Sequence, residues 1–320
     1  MSESTSSRVP SSLLHQRILD WYAHEARDLP WRRPGTSPWG VMVSEVMLQQ
    51  TPVVRVEPVW GQWISRWPSP AALAASAPGD AVHAWGRLGY PRRALRLHAA
   101  AVAMVERHDG DVPDTEEELL ALPGVGPYTA AAVSAFAFGR RATVVDTNVR
   151  RVFARIVDGA ALASPSLTRA EMDLATGLLP EGAGAARTWS AAVMEIGALL
   201  CSARSPRCPD CPVHDLCAWQ RAGRPAYEGP VRRSQSWHGT DRQCRGVILA
   251  VLRATPGPVT ADAVGAAWST DDTQRDRCLD SLVADGLVEP LPRNRFRLPG
   301  RSTQMPAAVV DLVGRTVLPD

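Results

Sequence analysis

LPGVGPYTAAAVSAF, Leu122 to Phe136, is the stretch that orients the rest of the chain. Two glycines, Gly124 and Gly126, stand in a turn flanked by Pro123 and Pro127, and an apolar helix is expected from Thr129 to Phe138. Glycine permits φ > 0 and close backbone approach, and the N–H groups at the start of the helix have no partner in it. Such a turn is a ready anion site. A sharp bend between two packed helices would read the same way. Outward from the turn, apolar spacing is helical: Leu14, Ile18, Leu19 and Tyr22 form one stripe, Val149, Val152, Phe153, Ile156 and Val157 another, and Val247, Ile248, Val251 and Leu252 a third. Breaks at WPSP, APGD and HDGDVPD separate helices of moderate length, and no alternating run precedes residue 286. The first part of the chain is therefore expected to be all-α.

The sequence of 320 residues is 45% hydrophobic, enough for two or three compact units. Residues 1–12 are polar and serine-rich, with no basic start followed by an apolar run, so they are expected to form a disordered tail and not a signal peptide. No apolar stretch is long enough to span a bilayer. Six cysteines, four of them bunched, fit a reducing compartment and not a secreted disulfide framework; Cys244 and Cys278 are expected in the core. A cytoplasmic, nucleoid-associated location is expected. The net charge is only +2, yet RLGYPRRALRLH, Arg87 to His98, carries four arginines and no acid. Such a patch matters more for nucleic-acid contact than the total does.

Cys201, Cys208, Cys211 and Cys217 follow the spacing Cys-x6-Cys-x2-Cys-x5-Cys. The intervening segments are polar and proline-rich, so four free core thiols are not expected; four thiolates converging on one iron-sulfur cube or one zinc ion are. Arg204 and Arg207 lie inside the first loop, where they would project toward phosphate.

Two carboxylates are candidates for acid–base work. Glu45 lies in WGVMVSEVMLQQ, on a helix expected to start at Ser37-Pro38, and shares its face with Val41 and Leu48. Buried there, it would have the raised pKa a general acid requires; at the edge of the stripe it would reach solvent. Asp146, in VVDTNVRRVFARIV, stands where an N-cap is preferred. With Glu45 it makes a carboxylate pair of the kind that cleaves glycosidic bonds through an oxocarbenium-like state.

LPWR from Leu29, SEVMLQQT from Ser44, LGY from Leu88, LPGVGPYT from Leu122, VDTNVRRV from Val145 and the cysteine loop occur in the order of the endonuclease III superfamily, and SEVMLQQT resembles its MutY branch, the adenine DNA glycosylases. The resemblance covers roughly residues 12 to 224 and rests on six motifs in order. It implies a helix-hairpin-helix DNA glycosylase fold: a six-helix barrel domain over 33–142, a domain with a 4Fe-4S cluster in place of zinc over 13–32 and 143–224, and double-stranded DNA with a mismatched adenine as partner of a monomer. It also implies roles. Glu45 would protonate the adenine, Asp146 would stabilise the sugar cation, and Tyr128 would line the catalytic pocket. Gln50, Leu88 and Tyr90 would occupy the gap in the duplex and meet the opposite purine; Trp31 and Arg32 would line the base pocket. Thr51, Gly124, Gly126 and Asn148, within the same motifs, are carried over as DNA or base contacts.

Bifunctional members carry a lysine in the hairpin helix. This chain has Tyr128 there and no lysine anywhere, so no side-chain amine can form a Schiff base, and a monofunctional adenine glycosylase acting on adenine opposite 8-oxoguanine or guanine in base excision repair is expected. Ala191, four residues before Glu195, stands where family members often have Gln or Glu. A mismatch thymine glycosylase of the same superfamily is therefore the alternative enzyme, and an inactive iron-sulfur DNA-binding protein the alternative from another class. After a linker over 225–240, three helices at 241–254, 260–269 and 271–285 and a two-stranded turn at Arg293-Asn294 outline a small winged-helix-like domain over 241–320. It is too short and too helical for the Nudix-like domain of many MutY proteins, and is expected to add nonspecific DNA affinity.

Overall fold

The computed structural model describes residues 10–229 and 237–300. Most of the expected tail over 1–12, the middle of the expected linker and the last twenty residues of the C-terminal domain lie outside the described residues. Along the chain run α1 (Ser11–Glu25), α2 (Pro38–Leu48), α3 (Val53–Arg66), α4 (Pro70–Ala74), α5 (Pro78–Trp85), α6 (Arg92–Arg107), α7 (Glu116–Leu120), α8 (Pro127–Phe136), α9 (Thr147–Ile156), α10 (Arg169–Gly177), α11 (Ala183–Leu199) and α12 (Ala218–Arg221). Beyond the linker follow α13 (Asp241–Ala254), β1 (Val259–Thr260), α14 (Ala261–Ala267), α15 (Asp272–Ala284), β2 (Glu289–Leu291) and β3 (Arg295–Arg297). No described helix is long and apolar enough to cross a membrane.

Two compact units emerge. The first comprises the described residues of Met1–Val46 and Val112–Arg232; the second, those of Met47–Asp111 and Arg233–Asp320. The breaks at 46/47 and 111/112 differ from the 32/33 and 142/143 boundaries expected above. Part of the reason lies in α8, whose alanine face (Ala131, Ala132, Ala135) packs with Val144 and with Met194 of α11, joining the hairpin helix to the cysteine-bearing part of the chain.

In the first unit the expected stripes meet: Leu14 and Ile18 of α1, Val149, Val152, Phe153 and Ile156 of α9, and Trp189, Val193 and Ile196 of α11 form one core, with Val213 and Trp219 closing it. The hairpin turn is as read, with Gly124 at φ +78 and Gly126 as the N-cap of α8 in extended conformation. Helix α8 begins and ends two residues before the expected 129–138, because Pro127 supplies a preformed first turn.

In the second unit, edge-on contacts of Trp63 with Trp67 and Trp85 mark the interior around α3 and α5. The C-terminal part has the winged-helix order, and Cys244 and Cys278 are buried as expected. Its sheet is ordered β1-β3-β2, and Arg293 and Asn294 both take positive φ, the geometry of a tight hairpin turn. Strand β1 was not expected: two residues cannot display an alternation, and only pairing with β3 makes Val259–Thr260 a strand.

Candidate active site

Glu45 sits on α2, whose start is capped by the Ser37 hydroxyl accepting from the Gly40 N–H at 3.1 Å. Its side chain does not reach solvent; Glu45 is 5% exposed. The Tyr128 hydroxyl donates to Glu45 Oε2 at 2.9 Å. Burial pushes the Glu45 carboxyl up to about 7; the Tyr128 hydrogen bond and the nearby Arg32 cation pull against that rise, and the Asp146 charge adds to it. Tyr128 itself is held far above its ordinary value by burial and by the two carboxylates, so it remains a donor.

Asp146 is the N-cap of α9. Its Oδ1 accepts from the backbone of Asn148 (2.8 Å) and Val149 (2.7 Å), while Oδ2 accepts from Asn148 Nδ2 (2.8 Å). Burial raises its pKa and these donors oppose the rise. The cap reading and the catalytic reading are thus compatible, since capping fixes Oδ1 and the Asn148 side chain fixes Oδ2. Asn148, expected as a DNA contact, holds Asp146 through Nδ2, and its Oδ1 accepts from Arg151 Nη2 at 2.7 Å. Arg151 also donates to the Cys201 carbonyl and the Gly197 carbonyl, each at 2.7 Å. At Gly197 of α11 an added Cβ would lie 2.6 Å from Asn148 Cβ, so glycine is required for the approach of α11 to the start of α9.

Arg32, expected in the base pocket, bonds Glu195 Oε2 at 2.9 Å, and Arg27 completes the arrangement through Nη2 at 3.0 Å. Glu195 is fully enclosed; burial disfavours its charge, yet the two guanidiniums hold it below the usual carboxylate range. Sequence reasoning noticed Glu195 only as a landmark. Its ionic partners, 163 and 168 residues away, left no local signal. Trp31 is buried, with its exposure down to 5%.

All four cysteines of the loop line one small, partly open pocket. Arg155 Nη1 donates to Cys201 Sγ at 3.3 Å, and Cys217 Sγ donates to the Arg155 carbonyl at 3.3 Å. Burial, with the other three sulfurs close by, raises Cys211 to about 12, so deprotonating it requires a compensating cation. Among the described residues no group of three or more His, Cys, Asp or Glu is arranged to hold a single metal ion. Arg204 and Arg207 are both exposed, and Arg207 Nε also donates to the Leu199 carbonyl at 3.3 Å.

The residues expected to meet the opposite strand lie in the second unit. Gln50 and Tyr90 are exposed, and both take positive φ (55° and 46°), as does Gly89. Thr51 and Leu88, expected as DNA contacts, have buried side chains in this structure, and the Thr51 hydroxyl donates to the Leu88 carbonyl at 3.2 Å, bracing the two turns. Arg93, which sequence reasoning passed over as one arginine in a basic run, ties both turns together. It donates to the carbonyls of Met47 (2.9 Å) and Gly89 (3.0 Å) and to the Thr51 hydroxyl (2.9 Å).

This arrangement accompanies extensive similarity to known proteins. A model of the HhH-GPD superfamily, base excision DNA repair proteins, matches residues 43–175. The adenine DNA glycosylase of Mycobacterium tuberculosis (strain H37Rv) is 52% identical over 292 residues, 91% of this chain and 95% of that protein. The chain belongs to the adenine DNA glycosylase family. Within it, the enzyme of Mycolicibacterium smegmatis is 54% identical over 88% of this chain and 95% of its own. Among solved structures, a thermostable thymine-DNA glycosylase superposes with a TM-score of 0.60 at 27% identity, covering 66% of this chain and 97% of that one. An endonuclease III–DNA complex, at 22% identity and a TM-score of 0.57, shares the fold. The all-α helix-hairpin-helix glycosylase fold expected from the motifs is the fold of this family member.

Proposed function

We propose that this DNA glycosylase is monofunctional and removes adenine paired with 8-oxoguanine or guanine, leaving an intact abasic strand. The observation that carries the reading is the enclosed Glu45–Tyr128 pair beside Asp146: one carboxyl whose pKa sits near neutrality, and a second whose oxygens are locked by three N–H donors. In the reaction Glu45 gives its proton to the adenine ring, which weakens the bond from the sugar to the base. As that bond breaks, positive charge builds on the sugar, and Asp146 stabilises it without moving. Water then adds to the sugar, and a carboxylate accepts the proton it loses. With no lysine in the chain, no side-chain amine competes with water, so strand scission is not part of the reaction.

The four cysteines line one pocket, and a 4Fe-4S cluster held by their four thiolates is the group assigned to it, with zinc as the alternative. Held by them, the cluster would supply a structural clasp for the loop whose first cysteine carbonyl binds Arg151. Double-stranded DNA is the partner, gripped at the Gly124–Gly126 turn, with Gln50 and Tyr90 facing the opposite purine. The protein acts as a monomer in the cytoplasm.

Single-turnover base release from duplexes holding A opposite 8-oxoguanine, A opposite G and T opposite G decides the matter, with scission scored before and after alkali. Adenine release with alkali-dependent scission is expected. Thymine release alone would move the protein to the thymine branch, and tight mismatch binding without release would make it a binding protein.

A further inference from the structure

Tyr90 is 45% exposed on a turn of two consecutive left-handed residues, and the C-terminal domain reaches it. The Arg242 guanidinium, in the first turn of α13, lies 5.1 Å from the Tyr90 ring centre and 5.4 Å from that of Trp237, itself 48% exposed. Both distances suit cation–π contact. Neighbouring arginines are neutralised: Arg92 and Arg245 share Asp285, and Arg277 pairs with Asp241. Arg242 has no carboxylate partner among the described residues. Contacts elsewhere hold the domain in place. The Gly79 N–H donates to the Pro299 carbonyl at 2.7 Å, an added Cβ at Gly79 would lie 2.5 Å from that oxygen, and Arg253 Nε donates to the Val82 carbonyl at 3.2 Å.

An un-neutralised cation between two exposed aromatic faces, beside a run holding Arg87 and Arg96, has the make-up of a surface on which nucleic-acid bases stack while phosphate is balanced. We propose that Arg242 and Trp237 extend the DNA-reading surface around Tyr90, so that the winged-helix-like domain takes part in choosing the purine opposite adenine and does not merely add charge. The inference rests on the reading above that Tyr90 meets that purine. A contact limited to one phosphate would weaken all duplexes alike; a brace for Tyr90 acts where Tyr90 acts.

The test uses the full-length chain. Arg242→Ala, Arg242→Lys and the exposed control Arg169→Ala are each measured for adenine release in single turnover. Each is also measured, in a Glu45→Gln background, for binding to duplexes with A opposite 8-oxoguanine, A opposite G, and A opposite T. Arg242→Ala is expected to bind the mismatched duplexes about threefold to tenfold more weakly, with a smaller loss on the paired duplex and an unchanged Tm. Arg242→Lys keeps the charge and loses the planar stacking face, so it should show most of the same loss of discrimination. Equal losses on all three duplexes, or none, would overturn the proposal, as would loss of discrimination only in variants whose Tm has fallen. Failure of the wild type to release adenine would instead overturn the functional reading itself.

Discussion

A carboxyl enclosed at position 45 favours its neutral form in the folded chain and its ionised form in the unfolded one, so its chemistry and its stability cost share one cause. With the folded pKa raised from 4.5 to about 7, the group's contribution to stability is fully present below about pH 4.5 and is lost as pH rises through about 7, by roughly 3 kcal/mol. Glu45→Gln should therefore gain in Tm over the wild type between pH 5 and pH 8, while excision falls by about 10²- to 10⁴-fold and mismatch binding is kept. A Tm difference independent of pH would show that Glu45 is not enclosed in solution. In the wild type, the single-turnover rate should fall as pH rises through about 7, a decline absent from Glu45→Gln. Asp146→Asn retains an oxygen to cap α9 and loses the charge that faces the cation; excision should be lost with the Tm nearly unchanged, and a large Tm drop would assign Asp146 to capping alone. Glu45 and Asp146 could be picked from sequence only as a pair, through the motifs that carry them, since each alone reads as an ordinary helix-edge or N-cap carboxylate. The Glu195–Arg27–Arg32 group could not, since nothing local to any one of the three residues announces the other two.

At the level of elements, glycines separate packing from ligand approach. Gly197→Ala forces α11 away from Asn148, and overpacking of this kind costs about 1–3 kcal/mol. Because Asn148 orients Asp146, turnover should fall further than duplex binding does; a fall in Tm with turnover intact would show that the start of α9 tolerates the shift. In the hairpin, Gly124 occupies a left-handed conformation, so Gly124→Ala should cost about 1–2 kcal/mol of stability. Gly126 has ordinary φ and open space around its Cα. Gly126→Ala should leave Tm unchanged and weaken duplex binding about fivefold or more, since the space it fills is the space phosphate would occupy. Unaltered binding would remove the hairpin from the DNA contact surface. Glycine spacing marks this turn within seven residues of sequence, whereas the Gly197 contact joins helices whose sequences carry no mutual mark. The wing was legible through Arg293-Asn294 and not through Val259–Thr260, because a turn is local chemistry and a two-residue strand is only its pairing.

For the whole molecule, the cysteine loop and the C-terminal domain carry the consequences. An iron assay with a visible absorption band should find iron and no zinc, and chelation or oxidative loss of the iron should reduce excision through the loop that bears Cys201; zinc at one equivalent would reverse that assignment. The C-terminal domain is docked through Pro299 and Arg253, so removing 241–320 should lower Tm as well as DNA affinity, and point variants such as Arg242→Ala separate the two effects. What the sequence determined by itself was whatever is written in local spacing: the helices with their buried faces, the hairpin glycines, the four cysteines, the absence of lysine, and the positions of the two carboxylates to which acid and cation chemistry are assigned. Tertiary structure alone decided which of those groups are enclosed and what they touch. It set the Tyr128 hydrogen bond to Glu45 and the rise of that carboxyl toward neutrality. It turned Thr51 and Leu88 inward, bound two exposed turns through Arg93, and brought Arg242 over Tyr90. The division follows from physics: conformational preference is encoded within a few residues of a position, whereas burial and electrostatic partnership depend on groups that only folding brings together.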